Sequence, residues 1–172
     1  MVRFRFRLSP AREIDLATVR ATVDALELPE AVYKTCPWQP RELVDKGLRQ
    51  WLLCCGAAMR DDQVIGMPSH AVDEAWHGFI LCTMRYAEFC ASAYGRFLHH
   101  FPEGAGPPSP AHGTMAEQLG RTVVAWSFVA APGEECVLWD LDRRVGVERP
   151  WGIDTDRVVA IEAELARTLA SR

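Results

Sequence analysis

Apolar positions recur at helical spacing along most of the chain. Leu43, Val44, Leu48, Trp51, Leu52 and Cys55 fall three or four residues apart and predict a helix from about Pro40 to Met59. Upstream, Ile14, Val19, Val23 and Leu26 make the stripe of an earlier helix. Ser9 and Pro10 open it, with Ser as N-cap and Pro in the first turn. Pro29, Pro37 and Pro40 break the connection between the two. After a loop over 61–69, His70 to about Tyr94 reads as one long third helix, N-capped by Ser69 and loosened at Gly95. A fourth helix is expected from about Thr114 to Ala130. A last one runs from about Asp154 to Ser171, with Val158, Ile161, Leu165 and Leu169 inward.

Three stretches depart from that period. Val2, Phe4, Phe6 and Leu8 alternate with Arg3, Arg5 and Arg7, which predicts a short edge strand kept from pairing by its arginines. The functional alternative there is a basic arm for an acidic partner. Cys136–Leu141 reads as a short strand or a helical turn. Residues 102–113 hold four prolines and three glycines, so they form a loop. The expected fold class is mainly α: a compact, multi-helix single domain over 1–172. The loop is then an insertion, and any β element is minor, at the N-terminus or at Cys136–Leu141.

Composition narrows the function classes. At 172 residues the chain is long enough to bury roughly 70% of its unfolded surface without staples. Its 49% hydrophobic and 24% charged residues are those of a globular protein, and a net charge of −4 argues against a broad nucleic-acid surface. Cys36, Cys54, Cys55, Cys82, Cys90 and Cys136 form no C-x-x-C pair and read as small core residues in a reducing compartment. The first residues lack the apolar stretch of a signal peptide, and Trp51–Met59 is about half of the ~20 residues a bilayer span needs. The expectation is a cytoplasmic protein without a membrane role.

The candidate chemistry sits in the third helix. His70, Asp73 and His77 stand at i, i+3 and i+7, within roughly 60° of one another on one face. Met84 and Glu88 continue that face, while Phe79, Cys82, Tyr86, Phe89, Cys90 and Ala93 take the other side, so the helix is expected to be central and buried. A histidine and an aspartate four apart are a common pair of helical metal ligands. His70, Asp73 and His77 are therefore the candidate ligands for a divalent zinc, iron or copper ion. Trp76, His77, Tyr86 and His100 are the candidate small-ligand contacts. The competing reading has Asp73 accept a hydrogen bond from His77 and lock the packing.

Further ligands are constrained by distance. Cys90 lies nearly 20 Å from His77 along a straight helix, and His99 and His100 approach only if the chain reverses near Gly95. His112 remains available. His99-His100-Phe101-Pro102 reads as a helix C-terminus at which an imidazole caps. No phosphate loop, nucleophile elbow, H-E-x-x-H or dinucleotide fingerprint occurs, so catalytic residues stay unassigned.

Met67-Pro68, Val72-Asp73-Glu74-Ala75-Trp76-His77, Ile80-Leu81, Thr83, Tyr86, Cys90 and the run Tyr94 to Pro102 together resemble the glycine-rich domain-containing protein-like family. The resemblance implies a self-contained helical domain and no catalytic assignment. Many members carry histidine where Phe79 stands here and aspartate where Cys82 stands. Two function classes follow: a domain holding a metal or small ligand around Asp73 and His77, or a non-catalytic protein-interaction module whose Trp, His and Tyr residues are structural.

Overall fold

The computed structural model describes residues 13–100 and 113–170, with side chains as far as Arg167. Its regular structure is helical: α1 Leu16–Asp24, a 3-10 helix Glu30–Lys34, α2 Arg41–Arg60, α3 His70–Leu81, α4 Thr83–Tyr94, α5 Met115–Val129, α6 Leu141–Arg144 and α7 Thr155–Ala170. No strand occurs among the described residues. The mainly α class is as expected. The Arg/Phe stretch at 2–8, the Ser9–Pro10 start and the loop residues 102–112 lie outside the described residues. Within them, the first helix begins at Leu16, where the Asp15 carboxylate accepts from the amides of Ala17 and Thr18.

α2 is the central helix, the place expected for residues 70–94. It touches α1, α3, α4, α5 and α6. Val44, Leu48, Leu52, Leu53 and Cys54 along it are all at 1% exposure or less. Arg49 on this helix ties down the end of α1, donating to the carbonyls of Val23 at 2.5 Å and Leu26 at 2.6 Å. That answers acceptors which a helix C-terminus leaves open.

The expected single helix over 70–94 is two helices. It breaks at Cys82, whose ψ of 55° is not helical and whose amide donates to the Phe79 carbonyl three residues back. No Pro or Gly marks the break; tertiary packing imposes it. Phe79 meets the ring of Tyr86 at 5.2 Å and that of Phe89 at 5.6 Å. On a straight helix, ten residues span ~15 Å, so Phe79 and Phe89 touch only because the chain turns back. The turn leaves Leu81 and Met84 largely exposed.

Of the two readings of residues 136–141, the helical turn is the one observed: 138–140 turn into α6, and a side chain of α2 holds the segment that leads there. Gln50, buried on α2, donates to the Glu135 carbonyl and accepts from the Val137 amide. Its amide group performs the pairing a neighbouring strand would have offered. Val137 and Leu138 are thereby held fully buried, and the chain turns into α6. Beyond it, α7 packs on α5 around a smaller cluster of Val123, Ile153 and Val158, with Ile161 beside them. Leu165 is half-buried, and Leu169 lies outside the side chains described.

Candidate metal centre

α3 begins where its amides are answered. Ser69 Oγ accepts from the Val72 amide, as an N-cap should. A second acceptor comes from far along the chain. Asp142 on α6, 1% exposed, accepts from Ser69 Oγ at 2.6 Å and from the amides of His70 and Ala71 at 2.9 and 3.1 Å. It also accepts from the Trp151 amide at 2.8 Å. A carboxylate at a helix N-terminus meets both free amides and the positive end of the helix dipole. Asp142 thus sets where α3 starts and how its faces are turned.

One face of α3 carries Asp73 and His77. Asp73 is partly shielded, with 18% of its side chain exposed, whereas His77 is 46% exposed, so the pair opens to the surface instead of a closed interior. His77 Nδ1 stands 3.6 Å from Asp73 Oδ2, too far for the hydrogen bond of the packing-lock reading.

The third member arrives from sequence beyond α4. Gly95, at φ 67°, ends α4 in the left-handed conformation and reverses the chain. That glycine, not an imidazole, caps the helix. Tyr86 then fixes the returning segment: its hydroxyl donates to the Leu98 carbonyl at 2.7 Å and accepts from Trp76 Nε1 at 3.3 Å. Burial pushes the Tyr86 phenol far up, so it stays a donor. His100 comes to rest against Trp76, ring centroids 4.9 Å apart in an edge arrangement.

There it completes a cluster. His100 Nε2 lies 3.0 Å from His77 Nε2 and 3.6 Å from Asp73 Oδ1. One ligand atom from each of Asp73, His77 and His100 falls within 4.8 Å of the others. Two ring nitrogens this close share one proton as donor and acceptor, or turn both lone pairs to one cation. A zinc-type ion with bonds of ~2.0–2.1 Å places tetrahedral nitrogen ligands roughly 3.3 Å apart. The observed spacing is near that value.

The other candidates are placed elsewhere. His70, one turn back, faces Glu74 at 3.9 Å and the rings of Trp38 and Trp151. Trp76 and Tyr86 are buried and act on His100 through packing and hydrogen bonds. His99 turns to Phe97, ring centroids 5.0 Å apart. Cys90 is buried in the core, and His112 lies outside the described residues. Asp142 and Gln50 escaped sequence reading, because their partners stand some 70 to 90 positions away and no local spacing betrays them.

Fold and cluster together define a mainly α-helical protein with an Asp/His/His group suited to a metal ion. Residues 21–112, more than half of the chain, match the family model described as UCP032817-like, and the chain belongs to that family. This corrects the resemblance to the glycine-rich domain-containing protein-like family. The residues behind that resemblance mix buried packing positions such as Trp76, Tyr86 and Cys90 with the cluster's own Asp73, His77 and His100. No curated protein and no solved structure matches the chain. No helix among the described residues is long and apolar enough to cross a membrane.

Proposed function

We propose that the protein binds one divalent metal ion through Asp73, His77 and His100. The observation that carries this reading is the gathering of one carboxylate and two imidazoles within 4.8 Å, from two segments 23 residues apart. Two histidines and one carboxylate are a ligand set that zinc and iron both accept. Asp73 has an oxygen 3.6 Å from a ring nitrogen of each histidine, so its carboxylate stands beside both imidazoles. Three protein ligands leave coordination positions open, and the exposure of His77 makes them reachable. Such a site supplies Lewis-acid polarisation or activation of water. Trp76 and Tyr86 support it as positioning residues and not as ligand contacts.

The interaction-module reading shares the structural role of Trp76 and Tyr86. It gives no reason for two imidazoles and a carboxylate to converge at an opening in the surface.

Calorimetric titration of the metal-free protein with zinc and, anaerobically, iron(II) tests the proposal. One equivalent should bind, and His77→Ala or His100→Ala should each weaken binding by at least ~10-fold. His99→Ala should not. The reading is lost if neither metal binds at one equivalent. It is equally lost if folded His77 and His100 variants bind as tightly as the parent.

A further inference from the structure

A second cluster surrounds His70, one to two turns before the metal ligands on α3. Trp38 comes from the segment before α2, and Trp151 from the segment before α7. Their ring centroids stand 6.2 and 5.1 Å from that of His70, inclined at 68° and 67°. Glu74 lies one turn beyond His70, with one oxygen 3.9 Å from His70 Nε2 and the other accepting from Trp38 Nε1. The Trp38 indole is held by Glu74, and Asp142 holds the backbone amide of Trp151. These rings are drawn from three separate parts of the chain.

Glu74 is met here by the Trp38 indole N–H and the His70 imidazole. Among the described residues Glu74 has no Lys or Arg partner. The cation–π contacts of the described residues, Arg41 over Tyr33 and Arg60 over Phe128, lie elsewhere. Trp151 is 44% exposed and Glu74 and His70 are each about a third exposed, so the cluster is open to solvent. The His70 Nδ1 atom is buried without a hydrogen-bond partner. A ligand therefore meets this imidazole at Nε2 or across the ring. Aromatic faces attract a cation through their quadrupole, most strongly tryptophan, and a neighbouring carboxylate adds direct attraction.

We infer that Trp38, His70, Glu74 and Trp151 form a binding site for a small organic cation of the methylated-ammonium class. Bulky methyl groups spread the charge over the indole faces and lower the cost of leaving water, while Glu74 selects for positive sign. A hydrated sodium or potassium ion has neither advantage. The inference is independent of metal binding, because it uses no ligand of the metal centre.

Tetramethylammonium chloride is the probe. It is titrated into the full-length, metal-free protein at ionic strength held constant with sodium chloride, while the indole N–H resonances of Trp38 and Trp151 are followed by NMR. Trp38→Phe and Trp151→Phe assign those signals. Both should shift saturably, and neutral tert-butanol should bind ~10-fold more weakly or not at all. Glu74→Gln and Trp151→Ala should each weaken the response by ~10-fold. Trp151 is partly exposed, so its removal spares the core, and thermal unfolding verifies that each variant is folded. Shifts that never saturate overturn the inference. An equal response to tert-butanol would mean a simple apolar surface and overturns it too. So does an undiminished response in folded Trp151→Ala.

Discussion

The Tyr86 hydroxyl joins packing to chemistry. It accepts from Trp76, whose ring meets His100 edge-on, and it holds the Leu98 carbonyl two residues before that histidine. Tyr86→Phe keeps the ring contacts with Phe79 and Phe97 but strands a buried indole N–H and loosens a carbonyl. The expected cost is ~2 kcal/mol in chemical denaturation, accompanied by weaker metal binding as His100 loses its place. Unchanged stability would show that the hydroxyl does not hold this segment. Part of this was legible beforehand. Asp73 and His77 share a helix face by spacing alone, whereas no spacing chose between His99 and His100, and the candidate metal set named His70 in place of His100. Its partnership with them required knowing that Gly95 turns the chain back, which depends on a left-handed backbone and on a tyrosine nine residues earlier. Asp142 was illegible, since an aspartate in Leu-Trp-Asp-Leu-Asp gives no sign that its partners lie near Ser69.

Helices declared themselves by pattern, while their limits came from neighbours. α2 and α5 begin and end within a residue or two of what the apolar period and the capping residues predict, and Thr114 with Glu117 closes a capping box at α5. The break between α3 and α4 had no such mark. It depends on Phe79 reaching Tyr86 and Phe89, and on α3 approaching the 3-10 helix very closely. Gly78 makes that approach possible. A methyl group built there would stand 2.5 Å from the Val32 carbonyl oxygen, a backbone atom with no rotamer to escape by. Gly78→Ala, which on an exposed helix would stabilise by up to ~1 kcal/mol, should therefore destabilise by ~1–3 kcal/mol through overpacking. Thermal or denaturant unfolding decides the sign. A gain in stability would mean that the two elements separate without cost.

The burial expected of the cysteines bears on the whole molecule. Cys36, Cys54, Cys55 and Cys90 are buried, and Cys82 and Cys136 are partly so. Burial pushes the Cys54 and Cys55 thiols well above their ordinary value of 9.0, with nearby sulfurs adding to the effect. The unfolded chain releases these protons at a lower pH than the folded one. Above about pH 9 the folded state thus holds more protons, and stability falls as pH rises. Denaturation midpoints at pH 7 and pH 10 should show that fall. Replacing Cys54 and Cys55 by Ala should shrink the alkaline dependence even though truncation itself lowers stability at both pH values. A dependence of full size in the double variant would assign it to other groups.

The clamp at Asp142 has a consequence for how the chain can be divided. The family match ends at residue 112, thirty positions before the carboxylate that receives the opening amides of the metal-bearing helix. Cutting the protein at that border would retain every proposed ligand, yet it would leave those amides to solvent and strip away the helix that covers one flank of α2. Possessing the ligands and presenting them in register are separate inheritances, and part of the second resides in the stretch the family signature does not reach.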